Sequence, residues 1–134
     1  MNSERRRKQH GFTMIEMVIV ISIILILMGI AVPIYKTHLL HAREAVLRED
    51  LYTMRNAIDQ FTQDKNKAPQ DLNDLVTAGY MTKLPLDPFT RSSDTWQPAQ
   101  EDVMLSADQN APGISDVHSG SNQISTEGTA YSGW

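Results

Sequence analysis

His38, His41 and Glu44 follow one another at i, i+3 spacing, so that on a helix they lie along one face and could converge on a metal. No fourth ligand is evident, and the chain has no cysteine to supply one. A wet helix face explains the trio more simply, and no metal is assigned to it. Glu16 stands out by its surroundings: it is an acidic residue almost at the start of an apolar run, where an unpaired carboxylate costs about 3 kcal/mol on entering hydrocarbon. Thr13-Met14-Ile15-Glu16 also fits a capping box, in which Thr13 and Glu16 satisfy each other's free backbone N–H groups at a helix start. On these residues alone both readings of Glu16 stay open. His10 and His118 stand singly, and the sequence has no nucleophile elbow, phosphate loop, metalloprotease helix or paired-carboxylate motif. Without cysteine there is also no thiolate and no disulfide framework, so no catalytic residue and no enzyme activity are expected.

The element that must position Glu16 is apolar. Nineteen residues, Met17 to Tyr35, carry no formal charge, and only Ser22 among them is strongly polar. At about 1.5 Å per residue, a helix of that length crosses roughly 30 Å of hydrocarbon. A secretory signal would have a shorter apolar region with small residues at the cut, and this run has neither. Four basic residues, Arg5, Arg6, Arg7 and Lys8, against Glu4 give the first eleven residues a charge of +3, so of the total of −4 the rest carries −7. That bias sets the N-terminus in the cytoplasm and everything after Tyr35 outside it. A nucleic-acid partner is set aside, because the body is acidic and its Lys and Arg are scattered. Pro33 lacks an N–H and leaves the carbonyl of Gly29 without its usual partner, so the helix is expected to be weakest between Gly29 and Pro33.

From Lys36 to about Lys65 the helical pattern continues. Leu40, Leu47, Leu51, Met54, Ile58 and Phe61 make one apolar stripe, with Arg43, Glu44, Arg48, Glu49, Arg55 and Asp59 placed on the opposite, wet side. Joined to the span, this gives a stalk helix of about fifty residues. Ala68-Pro69-Gln70-Asp71 ends it. Asp71 is placed to cap a short helix through Ala78, with Gly79 to stop it. Leu84-Pro85-Leu86-Asp87-Pro88-Phe89 imposes a turn, and short strands are expected near Val103 to Leu105 and Ile114 to His118. The fold class is α+β, with a small distal domain of a short helix and antiparallel strands packed on the stripe. Partial disorder is the alternative for the Ser-, Asp- and Gly-rich stretch after Arg91.

Gly11-Phe12-Thr13-Met14-Ile15-Glu16, behind a basic leader and ahead of a long span, resembles the processing motif of type IV prepilins and type II secretion pseudopilins. The resemblance implies cleavage after Gly11 by a membrane prepilin peptidase, removal of residues 1–11 with His10, and N-methylation of Phe12. It also implies that Glu16 neutralises the new terminal amine of a neighbouring subunit, and that the stem around Gly29 and Pro33 unwinds in the filament. Segments 12–35, 36–67 and 68–134 would then be assembly helix, stalk and distal domain. Gly79-Tyr80-Met81 leading to Leu84-Pro85-Leu86-Asp87-Pro88-Phe89 further resembles the distal part of the major pseudopilins.

That family implies a single-pass inner-membrane subunit with its C-terminal domain in the periplasm. Its partners would be membrane lipid, further copies, other pseudopilins and the inner-membrane secretion platform. Calcium is the one cofactor the resemblance raises, because major pseudopilins commonly hold it in the distal loop with clustered aspartates. Here Ser119-Gly120-Ser121 and Glu127-Gly128-Thr129 occupy the comparable region, and Thr129-Ala130-Tyr131 stands where that cluster would be, leaving Asp116 and Glu127 as the available carboxylates. No metal ligand is assigned. A type IV pilus or DNA-uptake subunit is the alternative within the family, and a membrane-tethered enzyme or binding module the alternative outside it.

Overall fold

The computed structural model describes residues 11–101, 107 and 112–134. Its elements run in the order α1 (Met14–Lys65), α2 (Leu72–Thr77), β1 (Gln97–Glu101), β2 (Gly113–His118) and a closing 3-10 turn at Tyr131–Gly133. The contacts divide the chain into two units, one ending at His38 and one running from Leu39 to Trp134.

In the first unit every residue from Gly11 to His38 is exposed, and from Met17 to Tyr35 α1 presents mostly large apolar side chains. A helix apolar on all sides satisfies its backbone internally and leaves its side chains for lipid or for other helices. By length and composition it is able to cross a membrane. In the single chain α1 is continuous through Pro33, with the weak point expected between Gly29 and Pro33 lying inside it. Proline removes one hydrogen bond, and in a helix of 52 residues the flanking turns hold the geometry across that gap. Thr37 Oγ1 donates to the Pro33 carbonyl at 3.2 Å, one turn further on.

In the second unit the stripe of α1 is the core. Leu47, Leu51, Met54, Ala57, Ile58 and Phe61 are buried together with Leu72 and Leu75 from α2, Trp96, Ile114 and Val117 from β2, and Tyr131. Leu40, expected to begin the stripe, is only half-buried. Asp71 caps α2 by accepting from Asn73 N at 2.7 Å, while Asp74 reaches back to the Asp71 N–H at 3.0 Å. Ala78 closes the helix, and Gly79 takes φ +86°, the left-handed conformation in which glycine carries no side-chain penalty.

The sheet has two antiparallel strands, pairing Gln97 with His118 and Ala99 with Asp116, then shifting so that Gln100 pairs with Ile114. The expected strand over Ile114 to His118 is therefore present. Its partner was missed, because Gln97-Pro98-Ala99-Gln100-Glu101 has no apolar alternation and contains a proline, as an exposed edge strand can. The strand expected at Val103 to Leu105 lies outside the described residues. The disorder alternative does not hold for residues 112–134, which supply Ile114, Val117 and Tyr131 to the core. Gly120 is fixed by a close approach: a Cβ there would stand 2.1 Å from the Thr95 carbonyl oxygen.

Candidate assembly segment and distal anchor

The segment expected to direct assembly starts with three non-helical residues, Gly11, Phe12 and Thr13, all exposed. Thr13 caps α1. Its Oγ1 accepts from Glu16 N at 3.2 Å, and its carbonyl accepts from Met17 N at 3.2 Å. The reciprocal half of the capping box is absent, and among the described residues the Glu16 carboxylate has no partner. The cap therefore uses the backbone of Glu16 and leaves its charge exposed at the head of the apolar run.

The second unit has its own charged centre. Glu44, placed by sequence on the wet side of the stalk, is instead 3% exposed. Its carboxylate accepts from Thr126 N at 2.7 Å, Thr126 Oγ1 at 2.6 Å and Tyr131 OH at 2.8 Å, and His41 Nδ1 lies 3.6 Å away. Thr126 and Tyr131 belong to the final loop, so one carboxylate on α1 holds two points of it. The sequence contained the signal: the seven-residue step from Leu40 to Leu47 skips the stripe position that Glu44 fills. The trio with His38 and His41 is thereby dissolved as a metal site, since Glu44 is committed to the loop. Among the described residues no group of three His, Cys, Asp or Glu side chains can hold a metal.

Asp87, in the Leu84 to Phe89 turn, is fully buried. It accepts from Phe89 N at 2.8 Å, Thr90 N at 3.3 Å and Ser119 Oγ at 2.5 Å, tying the turn to the residues after β2. Phe89 stacks on Tyr131 with ring centroids 3.9 Å apart. The two carboxylates considered for calcium are both taken by arginines. Asp116 accepts from Arg55 Nε at 2.5 Å, and Glu127 pairs with Arg48, whose guanidinium also lies over the Trp134 ring.

The sequence comparisons agree with this architecture. Residues 6–32 match the family model described as a prokaryotic N-terminal methylation motif. The type II secretion system core protein G of Aeromonas hydrophila is 30% identical over 112 residues, covering 72% of this chain and 78% of the relative. The chain belongs to this pseudopilin family. The corresponding protein of Pseudomonas aeruginosa is 32% identical over 101 residues, with 63% and 71% covered, and that of Klebsiella michiganensis 28% over 131 residues, with 84% and 92% covered. No solved structure matches at comparable significance. The matches extend well beyond the N-terminal motif, so the pseudopilin assignment rests on the distal unit as well.

In this pseudopilin the Glu44 centre makes the distal unit pH-dependent at both ends. Burial raises the pKa of Glu44, but the bonds from Thr126 and Tyr131, with the nearby His41, outweigh it and hold the group below its ordinary 4.5. Its contribution is complete above about pH 4.5 and is lost as pH falls through the lower folded value. Asp50, raised by burial and by Glu49 and Asp87, works in the opposite sense on the acid side. Burial and the Glu44 carboxylate push Tyr131 up to about 12 from 10. A phenol favoured in its neutral form stabilises the fold below pH 10, and that stability disappears as pH rises towards 12. Melting curves between pH 9 and 12 should fall for the parent and fall less steeply for Tyr131→Phe, which has no phenol to ionise. Equal slopes would remove Tyr131 from this role.

Proposed function

We propose that this pseudopilin is a filament-forming structural subunit of a type II secretion pseudopilus, with no catalytic step of its own. It is inserted in the inner membrane through residues 12–35, N-terminus in the cytoplasm and distal unit in the periplasm. Residues 1–11 are a leader cut after Gly11 by prepilin peptidase, Phe12 becomes the methylated terminus, and residues 36–67 and 68–134 form stalk and distal domain. Copies of the chain, other pseudopilins and the inner-membrane secretion platform are its partners, and lipid surrounds the span before assembly.

The observation that supports this most is the split role of Glu16: its backbone is capped by Thr13, while its carboxylate has no partner among the described residues. A charge exposed at the head of an apolar helix needs an opposite charge before that helix packs against another. The amine created at Phe12 of a neighbouring copy is such a group. In the filament, the stem around Gly29 and Pro33 is where α1 unwinds, because Pro33 has already removed the hydrogen bond to the Gly29 carbonyl.

Mass spectrometry of protein from peptidase-competent cells should find an N-methylated Phe12 at the terminus. An intact Met1 terminus in those cells would refute the processing. A bulky residue at Gly11 should block cleavage, whereas Gly11→Ala is partly processed.

A further inference from the structure

The calcium that the family resemblance implies does not fit this chain's distal loop. Calcium takes about six to eight oxygen ligands, usually with several carboxylates. Between residues 119 and 130 the sequence supplies one carboxylate, Glu127, and it is paired with Arg48. Asp116, on β2, accepts from Arg55 and lies 3.6 Å from His118 Nε2. A cation entering here would have to displace two guanidinium groups.

We propose that the loop is fastened to α1 by the buried Glu44 carboxylate and does not use a divalent cation. The polarity of the junction is the reverse of a calcium site. A calcium loop turns oxygens towards a positive charge, whereas this loop turns the Thr126 N–H, the Thr126 hydroxyl and the Tyr131 hydroxyl towards a negative one. The loop is shaped for that task by its own bonds. Ser125 N donates to the Thr129 carbonyl at 2.7 Å, and Ser125 Oγ accepts from Glu127 N and Thr129 N, each at 3.2 Å. Gly128, at φ +82°, closes the turn, and Ile124 bridges to Ala130. Thr126 is thus held at the tip of a closed turn, with both of its donors on Glu44. Arg48, one turn along α1 from Glu44, holds the adjacent Glu127 as a second, exposed fastening.

The test uses the full-length protein in detergent micelles, with calcium chloride as the probe and chelator as the control. Titration calorimetry should show no saturable calcium heat, and the melting temperature should be the same with excess calcium as with excess chelator. A saturable heat, or a calcium-dependent rise in melting temperature, would overturn the proposal. The fastening itself is read by amide hydrogen exchange. Glu44→Gln should speed exchange at Thr126 roughly ten- to a hundredfold, the loss expected when a bond to a charged acceptor is weakened. Thr126→Val, which keeps the amide donor and removes the hydroxyl, should speed exchange at Tyr131 and Glu127 less and leave the α1 amides unchanged. If Glu44→Gln does not fold, Thr126→Val carries the decision. Unchanged exchange in the loop for the variant that does fold would overturn the anchor.

Discussion

Glu16→Gln protein should be inserted and processed like the parent, yet fail to polymerise efficiently and block secretion when mixed with parent subunits. Glutamine leaves the helix start intact, because the cap runs from the backbone N–H of residue 16 to Thr13 Oγ1 and does not need the carboxylate. What is lost is charge. In the packed interior of a filament, an ammonium group without its partner costs about 3–5 kcal/mol, enough to lower association at each such contact more than a hundredfold. The measurement is disulfide crosslinking between cysteines introduced on neighbouring stalks, together with secretion by the same cells. Normal crosslinking and normal secretion would leave Glu16 as part of a helix start and nothing more.

Phe61→Ala should destabilise the distal unit by about 3–5 kcal/mol. Phe61 is 7% exposed at the far end of the stripe and meets Tyr80 edge to face, with centroids 5.6 Å apart. Truncation leaves a cavity bounded by a helix on one side, and the hydrogen bond from Tyr80 OH to Asp64 at 2.8 Å restrains the ring that would otherwise move into it. Small domains have only about 5–15 kcal/mol in total, so melting of a soluble fragment beginning near Thr37 should drop by roughly 15 °C or more. A variant that melts with the parent would show that this face is not the core.

The helical parts were legible because their information is local. Nineteen uncharged residues specify a span, a stripe repeating every three or four residues specifies a buried face, and Asp71 with Gly79 specifies both ends of α2. The distal unit was legible only in part, since its decisive contacts join residues far apart. Glu44 meets Thr126 across 82 positions and Tyr131 across 87, and no short window contains both partners. A polar residue in a gap of an apolar stripe was the only local trace. Asp87 was readable as a turn residue, but its bond to Ser119 spans 32 positions. β1 was unreadable for another reason: an exposed edge strand gains its hydrogen bonds from β2 and requires no apolar side chains of its own.

The same long separations set an order of events during synthesis. The stripe on α1 is complete once residue 61 has been made, but Ile114, Val117 and Tyr131, which cover it, emerge more than fifty residues later. For that interval the stripe has only Leu72, Leu75 and Trp96 to cover it, and the nascent chain presents apolar surface of the kind that chaperones exist to shield. Closure comes with Tyr131, which brings in one step the ring that stacks on Phe89 and the hydroxyl that reaches Glu44. A chain that stops short of Tyr131 therefore lacks both contacts at once, the stack on Phe89 and the hydroxyl on Glu44.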